Sequence, residues 1–205
     1  SMLAQRLPSI LPPMDPRVQR SNGRTVLSAS DIVRHLGCEH LTSLNLLHLA
    51  EPQPGAAVDE QALLLARKGD DWERQYLGRL RTEHPDLVEI ERDVDTAAAI
   101  EATQAAMARG VSHIFQAALT APGFFGRADF LRRVPGPSAL GDFHYEVLDT
   151  KLARRPKASH VIQLCFYSWL LEEAQGVAPR FMHIVLGDGS LSTHRYADYS
   201  RYFHR

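Results

Sequence analysis

The sequence has little of what announces several common classes of protein. It holds two cysteines, Cys38 and Cys165, in 205 residues. Two thiols so far apart exclude a disulfide framework, and a reducing, cytoplasmic setting is the default that follows. No apolar run approaches the roughly 20 residues that cross a bilayer, so no membrane partner is expected. The proline-bearing start (Pro8, Pro12, Pro13, Pro16) lacks the apolar core of a signal peptide. The net charge is -1. Bulk charge therefore advertises no polyanionic partner, and any nucleic-acid contact must come from a local patch. No internal repeat and no low-complexity tract interrupts the chain.

What is present suits one folded domain with a core. Hydrophobic residues make up 44% and charged residues 23%, ordinary proportions for a globular chain of this length. Residues 1–25 read as a flexible arm and 26–205 as the domain. Ser28 and Asp31 have capping-box spacing and start a short helix that ends at Gly37. Leu41–Leu49 reads as helical and Glu51–Val58 as a Pro/Gly loop. A long helix is expected from Asp59 to Arg81, with Leu63, Leu64, Ala66, Tyr76, Leu77 and Leu80 as its apolar stripe. A short strand at Leu87–Glu91 and an alanine-rich helix at Thr96–Ala108, closed by Gly110, come next. The period then changes to that of strands: His113–Leu119, Phe124–Val134 with a turn beginning at Pro135-Gly136-Pro137, and Phe143–Lys151. A helix over Pro156–Ala174 ends at Gly176. A strand at Arg180–Leu186 turns through Gly187-Asp188-Gly189 into Leu191–Tyr196.

The chemistry concentrates in the strand region. Strand side chains alternate, so Asp149 and Lys151 share a face with Val147, while Glu146, Leu148 and Thr150 take the other. A hairpin between Asp129 and Asp149 brings the two acids to one end of a sheet, where they repel unless a cation joins them. Oxygen ligands of this kind suit Mg²⁺ or Mn²⁺. A lysine beside such an ion is placed to orient a water or to stabilise developing charge. Asp-x-Lys alone is common by chance and is most often a salt bridge at a strand edge.

The wider pattern is more specific. Gly126-x-x-Asp129 within Phe125-Gly126-Arg127-Ala128-Asp129-Phe130-Leu131, Asp149-x-Lys151, and Gln163-x-x-x-Tyr167 on the following helix occur in order. Together they resemble the RecB-like branch of the PD-(D/E)XK nuclease superfamily, over Leu27 to the end of the chain. The resemblance implies an α/β fold with a restriction-endonuclease-like core: a central mixed sheet flanked by helices, with extra N-terminal helices. It implies Asp129 and Asp149 as metal ligands with the Thr150 carbonyl as another, and Lys151 as the catalytic lysine. Gln163 and Tyr167, four apart and so on one helix face, are implied to contact DNA or to position Lys151. Many relatives carry a histidine or glutamate after a glycine on the first long helix. Here Trp72 stands at the histidine position, which makes Glu73 the expected ligand.

Arg154, Arg155 and Lys157, between the lysine strand and the next helix, and Arg127, Arg132 and Arg133 on the neighbouring strand, are expected to track phosphate without reading bases. Leu36-Gly37-Cys38-Glu39-His40 resembles the segment in which some relatives hold one cysteine of an iron–sulfur cluster. This sequence has no further cysteine triad, so such a cluster is not completable within it. Cys38 and Cys165 read as small buried hydrophobes, and a zinc site from His35, Cys38 and His40 lacks paired spacing. The chain is expected to be part of a longer protein. The resulting expectation is a Mg²⁺- or Mn²⁺-dependent deoxyribonuclease acting on single-stranded DNA or DNA ends in repair or recombination, with a helicase domain as partner in the longer protein. The alternative is a degraded nuclease-fold module that binds nucleic acid or braces a helicase.

Overall fold

A computed structural model describes residues 19–21, 24–37 and 60–203. Their elements run β1 (Gln19–Ser21), β2 (Arg24–Val26), α1 (Ala29–Gly37), α2 (Glu60–Glu83), β3 (Val88–Glu89), α3 (Thr96–Ala108), β4 (His113–Ala121), β5 (Phe124–Ser138), β6 (Gly141–Lys151), α4 (Ala158–Gln175), β7 (Phe181–Leu186), β8 (Leu191–Arg195) and α5 (Tyr196–Phe203). The fold is α/β. Strands β3 to β8 form a six-stranded sheet in chain order. It is mixed: β3 with β4 and β6 with β7 are parallel, and the other neighbours are antiparallel. Among the described residues no helix is long and apolar enough to cross a membrane. The readings at Cys38, His40, Leu41–Leu49 and Glu51–Val58 lie outside the described residues.

The period-2 pattern of β6 sorts side chains to two separate cores. Leu148 packs with Tyr76, Leu77 and Leu80 of α2, together with Phe130 and Val185. Val147 packs on the opposite side with Leu164, Phe166 and Leu170 of α4, Ala106 and Met107 of α3, and Ile184. Burial of each such side chain contributes on the order of 1.5–3 kcal/mol, which anchors the strand register against a one-residue slip. Local chemistry sets the helix ends. Asp95 caps α3 by accepting from the Ala98 N–H at 3.0 Å, and Gly176 closes α4 at φ 72°. The buried Gln175 amide accepts from the Tyr145 N–H at 2.8 Å and donates to the Tyr145 carbonyl at 3.1 Å, pinning the end of α4 to β6. In the capping box at α1, the Asp31 carboxylate accepts from both the Ser28 N–H at 2.9 Å and its hydroxyl at 2.6 Å.

Two expectations need correction. Pro135-Gly136-Pro137 is not a turn, because β5 runs through it to Ser138. Here β5 has outrun β4, whose pairing ends at His113↔Arg132, so the missing proline N–H groups cost no ladder bond on that side. The register shift between Pro135 and Ser138 is absorbed by Gly136 at φ 140°. The last strand stops at Arg195, and Tyr196, only 3% exposed, begins a helix instead of ending a strand. Before α1, β1 pairs antiparallel with β2.

Candidate active site

The site lies where β6 parts from β5. The β5–β6 ladder has its last pair at Phe130↔Leu148, while β6 continues alongside β7 through Asp149↔Ile184, Thr150↔Val185 and Lys151↔Leu186. On the other side, the β4–β5 ladder pairs Phe115↔Phe130 and Ala117↔Ala128 but skips Gln116 and Asp129. Asp129 is thus released from regular pairing toward both neighbours. Its Oδ2 accepts from the Thr150 N–H at 3.2 Å, which ties the two parted strands together. Beside this point is a cavity of about 330 Å³ lined by Leu65, Gly69, Asp70, Glu73, Asp129, Thr150, Lys151 and Leu152.

Asp149 has no exposed surface. Its Oδ2 is 2.6 Å from Lys151 Nζ, and its Oδ1 has no hydrogen-bond partner. Burial, then the charge of Asp129, push the Asp149 carboxyl well above the usual range, with Lys151 opposing. Burial lowers the Lys151 ammonium, but Asp149 and Asp129 outweigh it and the net shift is upward. The lysine is charged, and the carboxylates around it compete for it.

Glu73 joins them from α2. Burial and Asp129 raise its carboxyl to about 7, against the pull of Arg92 and Gln116. Its Oε1 accepts from Gln116 Nε2 at 2.8 Å and from Arg92 at 3.2 Å. The neighbouring Trp72 turns away and packs against the Tyr76–Phe130–Leu148 core. One residue of helix rotation therefore separates a core side chain from a site side chain.

The α4 residues also reach this place. Tyr167 is buried, and burial, with Asp129 and Asp149 adding to it, pushes its phenol far up. Gln163 Nε2 donates to the Tyr167 hydroxyl at 3.3 Å. Gly126 explains how the ring fits: a Cβ there would stand 2.7 Å from Tyr167 Cε1 and 3.0 Å from Phe166 Cε1. The spacing Gly126-x-x-Asp129 thus has a physical content, since glycine admits the tyrosine that approaches the two acids.

The expected phosphate contacts are more scattered. Arg127 donates to the carbonyls of Glu91 (3.3 Å) and Gln116 (3.5 Å). Arg132 belongs to a buried network with Glu146 and His183, and Arg133 donates to the Gly110 carbonyl. Arg154, Arg155 and Lys157 are exposed in the β6–α4 connection. That connection is held by the Gly187 N–H donating to the Ala153 carbonyl at 3.2 Å.

Sequence reading missed Gln116 and Arg92, the two donors to Glu73. Arg92 carried no signal. Gln116 carried a weak one, as a polar residue inside the apolar run Ile114-Phe115-Gln116-Ala117-Ala118.

Among the described residues, no three His, Cys, Asp or Glu side chains already stand around a common point in the arrangement an ion needs. The donor chemistry nonetheless fits a hard divalent cation. Asp129 and Glu73 line one cavity, and Asp149 behind them has Oδ1 without a partner and Oδ2 on Lys151 alone. Positive charge beyond that of Lys151 would relieve all three. Comparison with models of known protein families and with curated proteins finds no match.

Proposed function

We propose that the chain is a Mg²⁺- or Mn²⁺-dependent nuclease domain with a PD-(D/E)XK core, hydrolysing phosphodiester bonds of DNA, with single-stranded DNA or DNA ends as substrate, in repair or recombination. The observation that carries this reading is the convergence of Glu73, Asp129 and Lys151 on one cavity, with Asp149 buried against the lysine, where two strands part. A divalent ion bound there supplies a lowered pKa for its water and neutralisation of phosphoryl charge. Asp129, Asp149 and Glu73 would hold it, together with the Thr150 carbonyl. Lys151, kept protonated by Asp149 and Asp129, offers a cation to the charge that develops on the phosphoryl group. Tyr167 and Gln163 close the α4 side, and the exposed Arg154, Arg155 and Lys157 hold the strand by its phosphates in a salt-dependent way. A helicase domain in a longer protein would deliver the strand.

A second reading is a nucleic-acid-binding module without activity. It is favoured by Trp72, which packs into the core where related nucleases often place a histidine. Mn²⁺ titration with labelled single- and double-stranded DNA separates the two. The nuclease reading predicts Mn²⁺-dependent cleavage that Asp149→Asn and Lys151→Ala abolish. DNA binding with neither Mn²⁺ binding nor cleavage establishes the module.

A further inference from the structure

Gln116 is the one non-glycine residue with positive φ among the described residues, at 56°. It sits in the interior of β4, not in a turn, and it is 5% exposed. Left-handed backbone is uncommon for any residue with a Cβ, and within a strand it breaks the ladder. The ladder does break here: pairing is regular at Phe115↔Phe130 and at Ala117↔Ala128 and absent between them. Regular strand geometry is therefore abandoned for one residue, directly opposite Asp129.

The distortion is matched by a set of contacts. The Gln116 side chain crosses to α2 and donates to Glu73 Oε1 at 2.8 Å. Its carbonyl takes the Arg127 guanidinium at 3.5 Å. Arg92 meets the same Oε1 at 3.2 Å. Both donors to Glu73 fall on one oxygen, and among the described residues no hydrogen bond reaches Oε2. A carboxylate held by one oxygen has its orientation fixed and its second oxygen to offer. Donors that orient a metal-binding carboxylate in this way govern affinity and rate from outside the ligand set. A purely structural glutamine would satisfy its amide in a relaxed strand conformation.

We propose that Gln116 is a positioning residue for Glu73: its left-handed backbone and its amide fix the carboxylate with Oε2 available to a divalent cation at the Asp129–Asp149 site. The inference rests on the nuclease reading above.

The test compares wild type, Gln116→Gly and Gln116→Asn in the full chain, each with and without Glu73→Gln. Glycine adopts positive φ freely and asparagine tolerates it. Both variants therefore keep the backbone, and neither carries an amide long enough to reach Glu73. Mn²⁺ affinity is read by electron paramagnetic resonance, fold by metal-free thermal unfolding, and turnover on single-stranded DNA as kcat and KM. Gln116→Gly is expected to unfold at or above the wild-type temperature, to bind Mn²⁺ about 10- to 100-fold more weakly, and to lose kcat by a similar factor. KM for DNA should stay within about twofold, and Gln116→Asn should behave alike. In the Glu73→Gln background the same changes should add less than about twofold, because the two residues act as one unit. Wild-type Mn²⁺ affinity in Gln116→Gly, or an equal loss with and without the Glu73 carboxylate, overturns the positioning role and leaves the nuclease reading intact. A wild-type chain that neither binds Mn²⁺ nor cleaves overturns both.

Discussion

Two buried carboxylates stand three residues apart on β6 and live in opposite circumstances. Glu146 is 3% exposed and Asp149 is 0% exposed. Glu146 accepts from the Phe181 N–H at 3.0 Å, lies 2.8 Å from His183 Nε2, and meets Arg132 at 3.3 Å. His183 in turn contacts the Thr193 hydroxyl at 3.0 Å. Burial raises the Glu146 carboxyl, but this network overrides it, and the net shift is downward. Asp149 has one lysine at 2.6 Å, the charge of Asp129 beside it and no backbone donor, and its shift is strongly upward. A buried charge surrounded by donors serves the fold. A buried charge left short of them destabilises the fold and persists where something else, here a proposed cation, completes it.

Substitution at the two positions should therefore dissociate stability from activity. The largest effect is expected from Asp149→Asn and Lys151→Ala, each lowering Mn²⁺-dependent cleavage by about 100-fold or more, as loss of a charge-stabilising group does. Asp149→Asn should lower the unfolding temperature far less than loss of Glu146 does, since it removes a charge that burial and Asp129 disfavour and leaves Lys151 with Asp129 and Glu73 beside it. A large fall in stability would place Asp149 with Glu146 as a structural residue and break the comparison. Next, Glu146→Gln should destabilise by about 3 kcal/mol, because it leaves Arg132 and His183 without their anion. Urea unfolding measures this, and cleavage per folded molecule should stay near wild type.

Gly126→Ala tests the neighbouring packing. A Cβ 2.7 Å from the Tyr167 ring forces a shift that costs about 1–3 kcal/mol, and cleavage should fall because the same ring abuts the acids. Tyr167→Phe removes only the hydroxyl and should change DNA affinity by a few-fold at most, read by fluorescence anisotropy.

The pH dependence is subtler and carries its own sign. A carboxyl whose pKa is raised on folding costs stability above its folded pKa and regains it progressively as pH falls from that value to the unfolded one. Glu73, at about 7 against 4.5 for the free side chain, and Asp149, raised in the same direction, should make the metal-free chain more stable as pH falls from about 8 to about 6.5. His113 works the other way. Burial, then His84 and Arg132, lower it to about 4 from 6.5, so below about 6.5 its failure to take a proton subtracts stability. Thermal unfolding should show the upper rise. Mn²⁺ should reverse it by favouring the ionised carboxylates, and Glu73→Gln with Asp149→Asn should flatten it.

Much of this was legible in the one-dimensional pattern. The α3 bounds and the Gly176 cap followed from local chemistry, as did the alternation that sets Val147 against Leu148. Asp129, Asp149 and Lys151 could be singled out by residue type and strand alternation, whereas Gly126, Gln163 and Tyr167 came only with the motif resemblance. The turn at Pro135-Gly136-Pro137 misled, because proline and glycine signal a turn only where a strand has a neighbour to leave. Whether β4 flanked that stretch was a question of strand lengths that no local window contains.

The chain's order of residue types determined the strands, the helices and the candidates for chemistry, because propensity, capping and periodicity act over a few residues. Only the tertiary structure decided that Trp72 packs into the core beside Tyr76 and Phe130, that Arg132 belongs to Glu146, and that Gln116 leaves its strand to reach α2. Those outcomes depend on contacts between residues far apart in the chain, 43 positions for Gln116–Glu73 and 14 for Arg132–Glu146. Burial and charge act through space, and the site exists where β5 and β6 part, a place defined by neither strand alone.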